Sequence, residues 1–185
     1  MIYVIDHEDS FTFNLVHLLG IYDNVYTSNY YEIDQAKLNK ADVLVLSPGP
    51  GEPKNYPETT RIYNHYKGKK KILGICLGFQ QILYSEGGNI IQQKNIYHGY
   101  QSTIKVLPTT HLFKKWKKLT VGRYHSLKLQ ETFFSSSISI TMRCQKTNAA
   151  MALEDINNKI FGFQFHPDSF LTKNGKNLIQ TILSA

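Results

Sequence analysis

The chain has 185 residues, 42% hydrophobic and 19% charged, which suits one domain over 1–185 with a buried core and excludes a disordered polymer. No apolar run approaches the roughly 18 residues of a membrane-crossing helix, no basic stretch precedes an apolar one after Met1, and Cys76 and Cys144 are too few for a disulfide framework. A cytoplasmic protein without membrane contact is expected, and its net charge of +7 raises the question of an acidic partner.

Taken in order, Ile2–Ile5 is a short β-branched run ending at Asp6 and reads as a strand. Phe13–Leu19 has helical spacing, with Phe13, Val16 and Leu19 on one face and Gly20 as its stop. Val25–Thr27 and Asp42–Leu46 are further strands, the second halted by Ser47-Pro48-Gly49-Pro50-Gly51. Pro57–Tyr66 suits a helix, since proline is tolerated in the first turn. Lys67, Lys69, Lys70 and Lys71 lead into a strand, Lys71–Ile75, which runs straight into Cys76-Leu77-Gly78 and a helix, Phe79–Ser85, ended by Gly87-Gly88. After Ile90-Ile91 the pattern changes to strands divided by turns: Ser102–Val106, Ile138–Met142, Ala150–Leu153 and Ile160–Phe165. A helix over Gly175–Leu183 closes the chain, with Leu178, Ile179 and Ile182 on one side. The lysines at 114, 115, 117 and 118 form a second basic cluster. Neither cluster has zinc-finger spacing or an RNA-binding aromatic motif, so solvated loops or an acidic protein partner are expected, and not nucleic acid. Continuous apolar strands between amphipathic helices imply an α/β domain: a mostly parallel central sheet flanked by helices, with a smaller antiparallel strand region.

Chemistry concentrates where strands end, as it does in open parallel sheets. Gly74-Ile75-Cys76-Leu77-Gly78 places a nucleophile between two glycines at a strand-to-helix junction. The sharp turn of a nucleophile elbow needs small residues on both sides, lifts the side chain from the sheet and turns the next amide toward a developing oxyanion. Phe165-His166-Pro167-Asp168 follows an apolar strand, and in extended chain residues i and i+2 project to one side, so Asp168 can orient His166. Ser47–Gly51 is a rigid turn able to bring an amide donor beside the elbow, and it lacks the Gly-Lys-Ser/Thr ending of a phosphate loop. Cys144 has none of this context and reads as structural. The other histidines show no metal-ligand spacing, so no metal is expected.

Together these segments resemble the class I (triad) glutamine amidotransferases, in their order and in the 90-residue step from Cys76 to His166. The stretch from Asp6 to Leu15 is similar to the amino-terminal signature of the chorismate-linked members, and Arg123-Tyr124-His125-Ser126-Leu127 and His98-Gly99 agree with it. Those members are the glutaminase subunits of anthranilate synthase (component II) and of aminodeoxychorismate (4-aminobenzoate) synthesis. The resemblance implies a flavodoxin-like fold and a Cys76-His166-Asp168 triad that hydrolyses L-glutamine through a thioester. It implies an oxyanion hole from the Gly51 and Leu77 amides, and a glutamine site from Gly49, Pro50, Gly51, Gln80, Ser126 and Leu127. It further implies a hetero-oligomer in which ammonia passes to a chorismate-binding synthase subunit, with no cofactor in this chain and Mg2+ in the partner. Anthranilate is the leading product, toward which Gly49–Pro53 leans; aminodeoxychorismate, or both, is the alternative. From other classes come a non-catalytic regulatory module, opposed by the presence of all three triad residues, and a partner-free hydrolase of γ-glutamyl compounds, opposed by the amino-terminal signature. Three positions depart from the family pattern: Asp168 stands for Glu, Phe79 for His and Tyr100 for Lys.

Overall fold

Alternate residues of the first strand feed two different cores. In β1 (Ile2–Asp6), Ile2 and Val4 join one buried cluster and Tyr3 and Ile5 the other, as period-two side chains must in a sheet covered on both faces. The computed structural model describes all of residues 1–185. The remaining strands are β2 (Val25–Asn29), β3 (Val43–Leu46), β4 (Lys71–Ile75), β5 (Ile90–Gln92), β6 (Tyr100–Val106), β7 (Lys118–Arg123), β8 (Leu127–Leu129), β9 (Ser139–Cys144), β10 (Ala150–Asp155) and β11 (Ile160–Phe163). The helices are α1 (Thr12–Gly20), α2 (Gln35–Lys40), α3 (Pro57–Tyr66), α4 (Leu77–Ser85) and α5 (Gly175–Leu183).

Nine strands form one sheet in the order β2-β1-β3-β4-β11-β10-β9-β6-β7, and β5 and β8 make a separate antiparallel ribbon. From β2 to β11 every pairing is parallel, in the flavodoxin-like order if β11 is counted as the fifth strand. From β11 to β7 every pairing is antiparallel, so the antiparallel region continues the same sheet. The β4–β11 pairing matters most for function. It sets Phe163 opposite Ile75, so the chain leaves both strands at the same sheet end.

One face of the sheet is covered by α1, through Leu15, Leu18 and Leu19, and by α5, through Leu178, Ile179 and Ile182. On the other lie Ile62, Tyr63 and Tyr66 of α3 and Phe79, Ile82 and Leu83 of α4. Burying the three apolar side chains of α5 contributes roughly 5–9 kcal/mol, an upper bound comparable to the net stability of a whole domain. Lys71 holds the end of that helix, its Nζ donating to the carbonyls of Ile182 (3.0 Å) and Leu183 (2.7 Å), which have no partner inside the helix. No helix is long and apolar enough to cross a membrane.

Several expectations need correction. α2 and β7 were not expected: α2 is signalled only by its N-cap, Asp34, which accepts from the Lys37 amide at 3.0 Å. In β7, Leu119 and Val121 are buried and alternate with exposed Lys118 and Thr120, a strand alternation masked by the lysines around its start. β8 was likewise missed, being three residues long. α4 begins at Leu77 and not Phe79, and β11 ends at Phe163, leaving Gln164 and Phe165 beyond it.

Candidate active site

Cys76 is the residue between β4 and α4, and it holds φ 53° and ψ −100°, a left-handed conformation that L side chains avoid. Strain of this kind costs of order 1–3 kcal/mol and persists only where the surroundings impose it. Those surroundings are glycines. A Cβ on Gly74 would stand 2.4 Å from the Gly78 carbonyl oxygen, and one on Gly78 would stand 2.1 Å from that of Leu46. The turn therefore closes only with glycine on both sides, which seats the first turn of α4 against β3 and β4. The Leu77 amide becomes the first in the helix, among those with no intrahelical acceptor.

His166 approaches from beyond β11, its amide donating to the Gly122 carbonyl at 3.1 Å and its carbonyl accepting from Thr172 Oγ1 at 2.7 Å. The ring is caged by Phe11 and Tyr124, each with its centroid 5.0 Å away and edge-on. Phe11 belongs to the amino-terminal signature, and the turn carrying it is held by Asp6 Oδ1, which accepts from the Glu8 amide (2.7 Å) and Thr12 Oγ1 (2.8 Å). Asp168 Oδ1 lies 3.6 Å from His166 Nδ1 with both side chains buried, an ion pair beyond hydrogen-bonding distance. Burial opposes the imidazolium, but the Asp168 carboxylate and the Cys76 sulfur outweigh it and raise His166 from 6.5 to about 10.

The Ser47–Gly51 turn packs against this elbow. A Cβ on Gly49 would meet His7 Cβ and Leu77 Cδ2, both at 2.5 Å, and Gly51 takes φ +73°. Tyr56 Oη donates to the Pro50 carbonyl at 2.8 Å, and Asn55 Oδ1 accepts from the Glu52 amide at 3.0 Å, so the turn is stapled from both sides. Beneath it His7 is fully buried. Ser47 Oγ gives its single proton to the Pro48 carbonyl (2.6 Å), so it accepts from His7 Nδ1 (3.1 Å), and Nε2 is left to accept from Thr59 Oγ1 (3.0 Å). Burial lowers His7 to about 4.

That value predicts acid lability. Between pH 6.5 and about 4 the unfolded chain binds a proton at His7 and the folded one does not, so stability is full above 6.5 and falls on acidification. By pH 4 the loss from this one group is on the order of 3 kcal/mol. A His7→Gln variant, less stable than wild type at pH 7, should lose less than wild type between pH 7 and 4.5 in urea unfolding; equal losses would remove His7 as the cause.

A cavity of about 390 Å³ brings together Cys76, Leu77, Gln80, Ser126, Leu127 and His166 with the Gly49–Gly51 turn. Gln80 is committed within the protein. Its Nε2 donates to Gln164 Oε1 (2.9 Å) and more weakly to the Leu127 carbonyl (3.5 Å), and Gln164 Nε2 in turn reaches Cys76 Sγ at 3.8 Å. Gln164 lies just past the end of β11, where no local sequence pattern marks it.

Arg123 was also missed as a physical element. Its guanidinium is wholly buried with no carboxylate partner, lies 3.6 Å over the Tyr97 ring and donates through Nε to His125 Nε2 at 3.0 Å. Arginine cannot accept, so His125 carries its proton on Nδ1 and donates it to the Leu127 carbonyl at 2.7 Å. Burial, and then the Arg123 charge, lower His125 to about 3 and keep it neutral. The Ser126-Leu127 wall of the cavity is thus fixed from behind. Of the family departures, Phe79 is fully buried beneath the sheet near Gly162, whereas Tyr100 is 59% exposed at the start of β6. Cys144 is buried at the end of β9, its Sγ accepting from Arg123 Nη1 at 3.5 Å.

A strained cysteine at a strand-to-helix turn, a histidine sharing its cavity and the Leu77 amide at the start of the helix can together carry out acyl transfer. A model of the family described as glutamine amidotransferase class-I matches residues 3–184. The chain is 34% identical over 186 residues to anthranilate synthase component 2 of Lactococcus lactis, covering 100% of this chain and 94% of that one. It is also 34% identical over 187 residues to aminodeoxychorismate/anthranilate synthase component 2 of Bacillus subtilis, covering 99% and 95%. A solved glutamine amidotransferase structure from Thermotoga maritima shares the fold, with a TM-score of 0.77 at 15% identity over 99% of this chain and 96% of that one. With a family match over nearly its whole length and full-length relatives of this kind, the chain belongs to the class-I glutamine amidotransferases.

Proposed function

We propose that this chain is a glutaminase subunit whose Cys76, His166 and Asp168 hydrolyse L-glutamine and deliver ammonia to a chorismate-binding synthase partner that makes anthranilate. The observation that carries the mechanism is the strained Cys76 sharing one cavity with His166. Cys76, as thiolate, attacks the side-chain amide carbon. The oxyanion is received by the Leu77 and Gly51 amides. His166, standing protonated, gives its proton to the leaving nitrogen, and a γ-glutamyl thioester remains. The same imidazole then takes a proton from water, which attacks the thioester and releases glutamate. Asp168 holds the imidazole and balances its charge. The Gly49–Gly51 turn and the Ser126-Leu127 backbone border the substrate, and Gln80, with Nε2 engaged by Gln164, offers Oε1 to it. These steps use side chains and amides of this chain alone, and Mg2+ belongs with the partner's chemistry.

The Bacillus subtilis relative, named for both synthases, favours a second reading in which the same ammonia serves aminodeoxychorismate, or both products. Product analysis separates the two. The chain is added with glutamine and chorismate to source-cell extract depleted of it, with free ammonia kept low. Anthranilate formed only when the chain is present supports the leading reading. Aminodeoxychorismate instead reassigns the partner, and neither product overturns the proposal.

A further inference from the structure

A second cavity, about 850 Å³, shares no lining residue with the one at Cys76. It is walled by the ends of β6, β7 and β9 and by the segment before β7, and its charge is one-sided. Lys105 of β6 stands directly opposite Lys118 of β7 on one side and Arg143 of β9 on the other. The Val106 amide donates to the Lys117 carbonyl at 3.1 Å, which makes Lys105 and Lys118 a non-hydrogen-bonded pair, the kind whose side chains stand closest. Like charges so opposed destabilise a sheet. Lys114 and Lys117 add to them from the preceding segment. Arg143 is matched by Glu131 at 2.6 Å, but none of the four lysines makes a salt bridge, and no carboxylate lines the cavity. The other basic cluster behaves differently: Lys67 pairs with Glu86 at 2.6 Å and Lys71 caps α5.

We propose that this cavity binds a small polyanion carrying two or more phosphate groups. Ammonium groups act as point charges suited to phosphate, while the one guanidinium that could grip a carboxylate with its fork already holds Glu131. The volume falls in the range of small-molecule sites, about 300–1,000 Å³. The charges converge in a concavity and do not run as a stripe. Lys115 Nζ sits 4.2 Å over the Trp116 ring, so that ring is no bare platform for the stacked bases of a single strand. Free polyphosphate and a nucleoside polyphosphate share the chemistry this site selects.

Trp116 is the chain's one tryptophan and lines the cavity, so its fluorescence reads occupancy. Sodium tripolyphosphate titrated into the full chain at low ionic strength should give a saturable change with a midpoint below about 1 mM, paralleled by a rise in melting temperature and weakened by added salt. Lys105→Gln/Lys118→Gln should weaken binding about tenfold or more, whereas Lys40→Gln/Lys69→Gln, which removes the same charge elsewhere, should leave it within about twofold. The first variant relieves a like-charge pair and should melt no lower than wild type without ligand, so that lost binding is not lost folding. ADP binding tighter than tripolyphosphate would assign the nucleotide source, and equal or weaker binding would assign the phosphate chain; both support the site. Three results would overturn it: neither fluorescence nor melting change up to about 10 mM tripolyphosphate, equal weakening in the two double variants, or an acidic peptide or oligonucleotide binding at least about tenfold tighter.

Discussion

Replacing Cys76 by Ala should lower glutamine-dependent product formation by about three orders of magnitude or more, while the partner's use of ammonium salts continues at its wild-type rate. The nucleophile cannot be supplied from elsewhere, because the other cysteine, Cys144, is buried at the end of β9 among the groups around Arg123. The ammonia arm shows that the partner's own chemistry is untouched. A companion variant tests the strain. At φ 53° a glycine is at ease where Ala and Cys are not, so Cys76→Gly should be inactive yet more stable than Cys76→Ala by about 1 kcal/mol in urea unfolding. That ordering runs against the usual loss on removing a methyl group, and the reverse ordering would mean the turn stores no strain. Retained glutamine use in the Ala variant would overturn the mechanism itself.

The parts of the site legible in the sequence are those in which a local pattern meets a strand end. Gly74 and Gly78 could be read as obligatory because an elbow has no room for a Cβ, and the structure shows the carbonyls of Gly78 and Leu46 filling that room. Ser47–Gly51 and His166 were legible for the same reason, and so were the strands feeding them. What stayed hidden depends on pairings between distant segments. Gln164 reaches Cys76 only because β11 lies beside β4. Phe11 lies against His166 only because β1 and β11 empty at the same sheet end. Arg123 stands in a segment that matches the family, but its role was not legible, since a buried guanidinium without a carboxylate contradicts expectation from composition, and its neutral partners Gln93 and Ser102 come from separate segments. β7 was hidden because three lysines leading into it, and Lys118 at its start, overrode the alternation of Leu119 and Val121.

Restoring the longer acid at position 168 should tighten the site, and removing its charge should loosen it. At 3.6 Å the Asp168 carboxylate attracts His166 but does not bond it, so Phe11 and Tyr124 do much of the orienting. One more methylene extends the arm by up to about 1.5 Å, enough to close the gap to hydrogen-bond length. Asp168→Glu should therefore match or exceed wild-type kcat, by about twofold to tenfold where it exceeds it. Asp168→Asn should lose about 10²–10³-fold in kcat with little change in KM, less than where an orienting carboxylate is fully bonded. Stability carries an independent signature. His166 is raised to about 10 in the fold, so its contribution is full below pH 6.5 and is lost as pH climbs from there toward 10. Asp168→Asn removes the largest of the raising influences, so the variant should lose less stability than wild type between pH 7 and 9.5. An Asn variant with wild-type kcat and an unchanged alkaline slope would show that the aromatic cage alone positions His166 and that Asp168 has no part in the reaction.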